Sequence, residues 1–213
     1  MTDDSVSASE ADLWDARYRE SERIWSGDPN AALVRETTEL KPGTALDLGC
    51  GEGADAIWLA RRGWTVTATD ISRVALGRAA EHAAAAGVSG LIDFQQHDLG
   101  AGFPAGVFDL VSAQFLHSHG DMPRERILRE AVQAVAPGGV LLIVGHAGRP
   151  PWAGESDQEA PLPTPGEVLD SLELPHGDWE VLVSEEHERI QNGPDGEPAT
   201  RTDNTVKIRR TAG

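Results

Sequence analysis

Acidic and polar side chains stand at the ends of successive apolar segments in the first half of the chain. Asp47 comes two residues before a glycine-rich turn, Asp70 ends the next apolar segment, and Asp98 and Gln114 end the two segments after that. In an open parallel sheet, ligands bind outside the carboxyl ends of the strands. If the segments are strands of one sheet, we therefore expect these four side chains to line one crevice.

The segment ALDLGCGEG, residues 45–53, predicts a strand that runs through a glycine-rich turn into a helix. Glycines at 49, 51 and 53 allow a close approach of the backbone to a ligand and permit positive φ angles. The helix N-terminus behind the turn favours an anionic group such as a carboxylate or phosphate. Glycine also occurs in tight turns only because of their backbone geometry, so the prediction of a ligand site depends on the acidic residues. Asp70 is placed to accept hydrogen bonds from ribose hydroxyls.

Histidines follow the fourth and fifth predicted strands and make a second group of candidate functional residues. His117 and His119 come after the fourth strand and His146 after the fifth, so all three are candidate general bases, with a purely structural role as the alternative for each. The spacing of the first two matches no recognised metal-ligand pattern, so we predict no metal site.

Aromatic side chains could supply the apolar walls of an acceptor pocket. Those of the N-terminal segment either form a lid that excludes water or anchor a helix by packing. The candidate substrate and lid residues are Trp14, Tyr18, Trp25, Phe115 and Trp152.

Strand and helix patterns alternate from residue 44, which predicts an α/β protein with parallel, right-handed βαβ units. The predicted strands are 44–49, 64–70, 91–98, 107–114, 139–145, 179–190 and 204–210. The predicted helices are 11–22, 30–40, 54–62, 72–87, 122–136 and 164–173. We expect disorder up to residue 10, an irregular segment over 148–163 and a hairpin loop over 191–201.

Length and charge narrow the classes of protein that the sequence fits. The chain has 213 residues, a formal net charge of −17 and one cysteine. A single domain is expected at this length, and a strongly acidic chain disfavours nucleic-acid and anionic-membrane partners. One cysteine excludes a disulfide framework within the chain. With no signal-peptide pattern and no long apolar run, we expect a cytoplasmic protein.

Five segments resemble the successive motifs of class I S-adenosylmethionine-dependent methyltransferases: ALDLGCGEG, TATDIS, FQQHDL, FDLVSAQFL and LREAVQAVAPGGVLLIV. The resemblance covers about residues 44–144 and extends to the closing strand pair. It implies a Rossmann-like, mostly parallel seven-stranded sheet of order 3-2-1-4-5-7-6, with strand 7 antiparallel and helices on both faces. The single domain would span 1–213, with an N-terminal helical lid over 11–40 and a core over 41–213. The segment WDARYRESERIWSGDPNAALV resembles the small thiopurine- and tellurite-methyltransferase-like group.

The resemblance implies a role for each matching residue on the methionine side of the cofactor S-adenosylmethionine. The turn from Gly49 through Cys50 to Gly51 would pass under the methionine part, and Asp47 would orient its amino end. Gln114 would reach the methionine or the mouth of the site. Cys50 is then a small turn residue rather than a nucleophile, because the family needs no thiol there.

The nucleoside side has its own implied contacts. Asp70 would bind the ribose hydroxyls, while Ile71 would pack on the adenine face. Asp98 would accept a hydrogen bond from the adenine amine, with Leu99 beside it. An acidic crevice suits the cofactor because its sulfonium and ammonium groups are cationic.

The function expected from these features is methyl transfer to a small molecule, by in-line attack of an O, N or S nucleophile. The partner is then a small-molecule acceptor rather than nucleic acid or membrane, and the protein a monomer or homodimer. A nicotinamide-dependent oxidoreductase is one alternative: the third glycine of its usual fingerprint falls at Ala54, a tolerated variant. A non-catalytic S-adenosylmethionine-binding protein is another, because acids that bind the cofactor do not by themselves establish turnover.

Overall fold

A computed structural model describes residues 9–117, 122–148, 162–193 and 196–212. The strands are β1 (Thr44–Leu48), β2 (Thr65–Asp70), β3 (Ile92–Gln96), β4 (Phe108–Gln114), β5 (Val135–His146), β6 (Trp179–Asn192) and β7 (Pro198–Arg210). The helices are α1 (Glu10–Arg19), α2 (Ala31–Thr37), α3 (Ala54–Arg61), α4 (Arg73–Ala85), α5 (Arg124–Gln133) and α6 (Pro165–Ser171). A short 3₁₀ turn, Ser89–Leu91, precedes β3.

The strands form one sheet of order β3-β2-β1-β4-β5-β7-β6. The first five strands pair in parallel, whereas β7 runs antiparallel to both of its neighbours. The chain moves outward from β1 to β3 and then returns to β4 on the other side of β1. The carboxyl ends of β1 and β4 therefore flank a topological switch point, where open α/β sheets bind ligands. The predicted strand order and the antiparallel strand 7 are confirmed.

Helices cover both faces of the sheet because its central strands are apolar on both sides. Leu141 and Ile143 of β5 pack with α5 and α6, while the alternating Val140, Leu142 and Val144 belong to the other core, with α2, α3 and α4. All five of these side chains are buried. Packing on both faces holds the strand ends in place, and the strand ends in turn position the loops at the switch point.

The boundary between α5 and β5 differs from the prediction of a helix to residue 136. The Phe108 amide donates a hydrogen bond to the Ala134 carbonyl at 2.8 Å, and Val135 already pairs with Phe108. Pairing then skips to Val140, opposite Leu110, across a bulge. The apolar helical spacing continues past Gln133, but hydrogen bonding to β4 takes the chain into the sheet.

The closing hairpin is longer than predicted. The expected loop over 191–201 is wrong, because β6 continues to Asn192, β7 begins at Pro198 and only 193–197 connect them. Arg189 pairs with Arg201 in this extension. The hydrogen bonds of an antiparallel ladder join backbone groups, and a strand face that meets water tolerates polar side chains. The polar composition of residues 191–201 therefore led to a prediction of strands that were too short.

Ordered structure begins before residue 11. Ser9 caps α1 in a reciprocal capping box with Asp12, and the helix starts at Glu10 and ends at Arg19 rather than at 22. The predicted disorder of the first eight residues, and most of the predicted irregular segment 148–163, lie outside the described residues.

Candidate active site

The glycine-rich turn after β1 is held against the end of β2. The amides of Gly49 and Cys50 both donate to the Thr69 carbonyl, at 2.8 and 2.9 Å. Gly49 and Gly51 have φ angles of +73° and +53°. A Cβ on Gly51 would come within 3.0 Å of the Tyr18 hydroxyl oxygen. The backbone conformation and the lack of space both require glycine here.

Asp47 presents a buried carboxylate beside this turn. Its residue is 2 % exposed, and its Oδ2 has no hydrogen-bond partner among the described residues. Burial, followed by the neighbouring carboxylates of Asp55 and Asp70, raises the pKa of Asp47 well above its usual value. A buried polar atom without a partner is costly, and a cation would satisfy it. The atom therefore fits the ammonium group of S-adenosylmethionine.

Asp70 braces the turn from the end of β2. Its Oδ2 accepts a hydrogen bond from the Gly51 amide and its Oδ1 one from the Ser72 amide, both at 2.9 Å. Burial raises the pKa of Asp70, and these amide bonds offset only part of the rise. Each carboxylate oxygen retains a further lone pair, so the side chain can still accept ribose hydroxyls. Ile71, half-buried, follows directly.

Two other predicted cofactor residues differ in their surroundings. Asp98 does not end a strand as expected, since β3 stops at Gln96; it is exposed, and its Oδ1 accepts a hydrogen bond from the Gly100 amide at 2.8 Å. Leu99 beside it is buried. Gln114 ends β4 and is buried, with an Oε1 that has no partner among the described residues. The contact of Asp98 with adenine stays a prediction.

Cys50 lies in the turn as a half-buried free thiol. Burial, followed by the carboxylates of Asp70 and Asp47, raises its pKa well above the usual value. A thiol that is held protonated is a poor nucleophile. This environment agrees with a structural role in the turn.

N-terminal aromatic side chains lie against the glycine turn. Trp25 donates its indole N–H to the Tyr18 hydroxyl at 3.0 Å, and this hydroxyl stands over Gly51. Tyr18 is 3 % exposed, whereas Trp25 is about half exposed. The Trp14 ring lies 6.1 Å from the Tyr18 ring. Tyr18 therefore packs into the protein interior and also contacts the turn. Trp25 lies on the solvent side of Tyr18.

A buried ion pair that sequence reasoning missed ties this segment to the turn. The Oε2 of Glu52 accepts hydrogen bonds from the Ile24 and Trp25 amides at 3.3 Å, and its Oε1 pairs with Arg78 at 2.8 Å. Arg78 also donates to the Tyr18 carbonyl at 2.6 Å. Glu52 lies between Gly51 and Gly53, and nothing in the sequence around it indicated that it would bind the N-terminal segment.

Two more carboxylates fasten the N-terminal segment to the core. The Oδ1 of Asp15 accepts hydrogen bonds from the Ser72 hydroxyl at 2.6 Å and the Val74 amide at 3.2 Å, at the start of α4. Asp55, in α3, accepts two hydrogen bonds from Asn30 at 2.7 Å. The segment 9–30 is thus attached to α3 and α4 at several points.

The second group of candidate residues gathers at the ends of β4 and β5. Phe115 has a φ of +49°, rare for a residue with a side chain, and its ring lies 4.6 Å from the His146 ring. The His117 ring stacks on His146 at 5.3 Å with 12° between planes. The Nε2 of His117 is buried and has no partner among the described residues. The two predicted histidines are therefore in direct contact.

A carboxylate from β7 completes this group, and sequence reasoning missed it. Asp203 is fully buried; its Oδ1 lies 2.9 Å from the His146 Nδ1, and its Oδ2 accepts a hydrogen bond from the Arg189 Nε at 2.6 Å. A cavity of about 120 Å³ borders Phe115, Arg189 and Asp203. A larger cavity, about 430 Å³, lies near Gly43 and Trp64 at the opposite ends of the strands and away from these residues.

Two predicted site residues, His119 and Trp152, lie outside the described residues. In the described parts of the chain, no three histidine, cysteine, aspartate or glutamate side chains cluster so as to hold a metal ion. No helix within those parts is long and apolar enough to cross a membrane.

Comparison with known sequences places a recognised domain in the centre of the chain. Residues 45–139 match the family described as "Methyltransferase domain". Relatives include ribosomal RNA small subunit methyltransferase C of Alcanivorax borkumensis (34 % identity; 56 % of this chain, 38 % of the relative). Others are 2-heptyl-1-hydroxyquinolin-4(1H)-one methyltransferase of Mycobacteroides abscessus (31 %; 60 % and 58 %) and tocopherol O-methyltransferase of Arabidopsis thaliana (34 %; 67 % and 40 %). The chain thus spans between 38 % and 58 % of these relatives' lengths.

Solved structures match over nearly the whole chain. A protein of echinomycin biosynthesis, solved in work on conversion of a disulfide bond into a thioacetal group, has a TM-score of 0.72 and 26 % identity, covering 96 % of this chain and 93 % of its own. The N-methyltransferase NodS of Bradyrhizobium japonicum, in complex with S-adenosyl-L-homocysteine, has a TM-score of 0.66 at 18 % identity (95 % and 99 % covered). TehB of Haemophilus influenzae has a TM-score of 0.64 at 20 % identity (95 % and 67 %) and shares the fold.

Proposed function

We propose that the chain is a class I S-adenosylmethionine-dependent methyltransferase and that it transfers the methyl group of S-adenosylmethionine to a small-molecule acceptor; the match of residues 45–139 to a methyltransferase domain and the methyltransferases among its relatives support this. When bound, the cofactor supplies an electrophilic methyl group on a cationic sulfur. Of the two alternatives, the match to a methyltransferase domain does not support the nicotinamide-dependent oxidoreductase. The other alternative, a protein that binds S-adenosylmethionine without catalysis, is tested by measuring turnover.

One observation carries the placement of the cofactor: a buried carboxylate oxygen on Asp47, without a partner in the described parts of the chain, beside a turn whose backbone requires glycine. Asp47 would pair with the ammonium group, and Asp70 would accept the ribose hydroxyls. The turn from Gly49 to Gly51, whose positive φ angles require glycine, would pass under the methionine part. We assign Ile71, Asp98 and Leu99 to the adenine end by the family resemblance.

The acceptor would bind at the carboxyl ends of β4 and β5, beside the amino-terminal half of β7. Phe115 supplies an aromatic wall there, and His146, Asp203 and Arg189 are the placed polar groups. Mostly apolar walls with a few polar groups are typical of small-ligand pockets. Relatives named for a hydroxyquinolone and for tocopherol O-methylation support an acceptor with a ring hydroxyl.

The test is a methyl-transfer screen that measures release of S-adenosylhomocysteine. The panel contains phenols, quinols, thiols and amines, together with small-subunit ribosomal RNA because one relative is named for that substrate. We expect turnover with a phenol or quinol and none with RNA. Transfer to RNA alone would contradict the small-molecule proposal, and cofactor binding without any turnover would favour a non-catalytic protein.

Cofactor placement has its own measurement. Asp70→Asn keeps the side-chain shape but removes the charge that strengthens hydrogen bonds to ribose, each worth about 1.5–3 kcal/mol. Titration calorimetry with S-adenosylhomocysteine should give at least about tenfold weaker binding for this variant, and unchanged binding for the exposed control Asp178→Asn. Equal affinity in both folded variants would refute the ribose assignment.

A further inference from the structure

His146 and Asp203 form a buried hydrogen-bonded pair that the sequence alone did not reveal. The antiparallel register of β5 and β7 places the two residues directly opposite each other. The His146 Nδ1 lies 2.9 Å from the Asp203 Oδ1, and Asp203 is fully buried while the His146 side chain is 25 % exposed. The carboxylate is therefore inside the protein, whereas the imidazole is partly open to solvent.

Asp203 is ionised in this arrangement. Burial raises the pKa of its carboxyl, but the hydrogen bonds and charges of His146 and Arg189 outweigh burial and hold it below the usual range. An ionised carboxylate only accepts hydrogen bonds, so neutral His146 must carry its proton on Nδ1. Its Nε2 then has a free lone pair that can accept a proton.

The imidazole ring is also held in position by its neighbours. Phe115 lies on it at 4.6 Å and His117 stacks on it at 5.3 Å. Arg189 packs over the Phe115 ring at 5.4 Å while it binds Asp203. Phe115 and Asp203, which also line the cavity beside β6 and β7, thus help to fix the orientation and the tautomer of His146.

We propose that His146 is the general base for a hydroxyl acceptor and that Asp203 is its positioning residue. The inference rests on the proposed function and extends it to the class of nucleophile. The acceptor's O–H bond breaks as its proton passes to the His146 Nε2, and the acceptor oxygen forms a bond to the methyl carbon. The carbon–sulfur bond breaks with its electron pair left on sulfur. The imidazolium charge that results is balanced by Asp203.

His117 is not suited to the same task. Burial and, after it, the charge of Arg124 lower the pKa of His117 to about 4, so the ring is neutral and only weakly basic at pH 7. The charged and titratable groups that bear on this pair of rings are Asp203 and Arg201 from β7, Arg189 and His187 from β6, and Arg124 from α5. His117 therefore serves as a neutral stacking surface for His146.

The first experiment needs no acceptor. Nitrogen-15 NMR of histidine-labelled protein at mildly alkaline pH reports which ring nitrogen is protonated, and His146→Gln assigns the signal. We expect the Nδ1–H tautomer for His146 in the wild type and its loss in Asp203→Asn. An Nε2–H tautomer in the wild type would overturn the proposal, whether or not Asp203→Asn folds.

The second experiment uses an acceptor found in the screen and its ring-nitro analogue, which is already ionised at the assay pH. His146→Gln should lower kcat by about 10²-fold or more on the parent phenol. It should cost far less on the nitrophenolate, which needs no base. Asp203→Asn should show the same pattern with a smaller loss, and the exposed control His176→Gln should show none.

A merely structural role would reduce kcat equally for both acceptors, and that outcome would also overturn the proposal. If no acceptor in the screen is methylated, the proposed function fails, while the NMR measurement still decides the geometry of His146 separately.

Discussion

Asp47 carries the clearest conflict between stability and ligand binding at the level of a single residue. Its carboxylate is buried near Asp55 and Asp70, and its pKa is raised well above the usual value. Ionisation therefore opposes folding at any pH above the unfolded-state value of about 3.9, and the free energy is recovered only when a cation binds. Functional sites are often kept at such a cost to stability.

Asp47→Asn should resolve the conflict in favour of stability. We expect the ligand-free variant to unfold at higher temperature, by an amount equivalent to about 1 kcal/mol, because a buried carboxyl whose ionisation opposes folding is replaced by a neutral amide. Binding of S-adenosylhomocysteine should weaken at least about tenfold, since the ammonium group loses its counter-charge. Thermal unfolding and calorimetry on the same preparations measure both effects.

Asp178→Asn is the matched control, because that aspartate is exposed and remote from the turn. It should change neither quantity. A lower unfolding temperature together with unchanged binding in Asp47→Asn would mean that the carboxylate has a structural partner instead of a ligand.

The elements show which parts of the site a sequence can predict. Asp47, Gly49 and Asp70 lie on neighbouring parallel strands and their turns, so local patterns were enough to bring them together. Asp203 was missed because its contact with His146 depends on the register of β5 and β7, across 57 positions of sequence. Asp98 was predicted to end the third strand, but β3 stops at Gln96 and Asp98 lies in the loop after it.

One of the contacts that dock the N-terminal helix α1 is made by its Asp15 carboxylate at the start of α4. Asp15 binds the Ser72 hydroxyl and the Val74 amide, which are groups that a helix N-terminus leaves open. Burial raises the pKa of Asp15, but these hydrogen bonds and Arg19 outweigh it and lower the value overall. The carboxylate thus stabilises the docked arrangement in its ionised form.

Asp15→Ala should release α1 without disturbing the sheet. Loss of a cap of this kind costs about 0.5–2 kcal/mol. We expect faster hydrogen exchange over residues 9–30, unchanged protection in β1 and β4, and faster dissociation of S-adenosylhomocysteine as Tyr18 and Trp25 move off the turn. Glu22→Ala removes one exposed acid from the same segment and should leave all three unchanged. Faster exchange with an unaltered dissociation rate would show that the aromatic side chains do not cover the cofactor.

At the scale of the whole molecule, acidification has opposing effects on the free energy of unfolding. The net charge of −17 causes self-repulsion at neutral pH, which weakens as carboxylates take up protons. Asp203, Asp15 and Glu36 have lowered pKa values, so the stability they contribute is present above the unfolded-state values near 4 and is lost below them. Between pH 6.5 and 4, protonation of the buried carboxyls of Asp47, Asp55 and Asp70, whose pKa values are raised, stabilises the folded protein, whereas the lowered pKa of His117 acts in the opposite direction.

His117 should make the folded protein less stable as the pH falls from about 6.5 to about 4. Its pKa in the folded state is about 4, below the reference of about 6.5, so in this window the unfolded chain binds more protons. Stability is therefore fully present above pH 6.5 and is lost as pH falls, by up to about 3 kcal/mol at 1.36 kcal/mol per pH unit. Denaturant unfolding of the wild type and of His117→Gln at several pH values isolates this part, because self-repulsion is common to both. The difference in unfolding free energy between the two proteins should be constant above pH 7 and should shift in favour of the variant as the pH approaches 4. A difference that stays constant over the whole range would mean that His117 is protonated as easily in the folded protein as in the unfolded chain, and that its ring is not buried against His146.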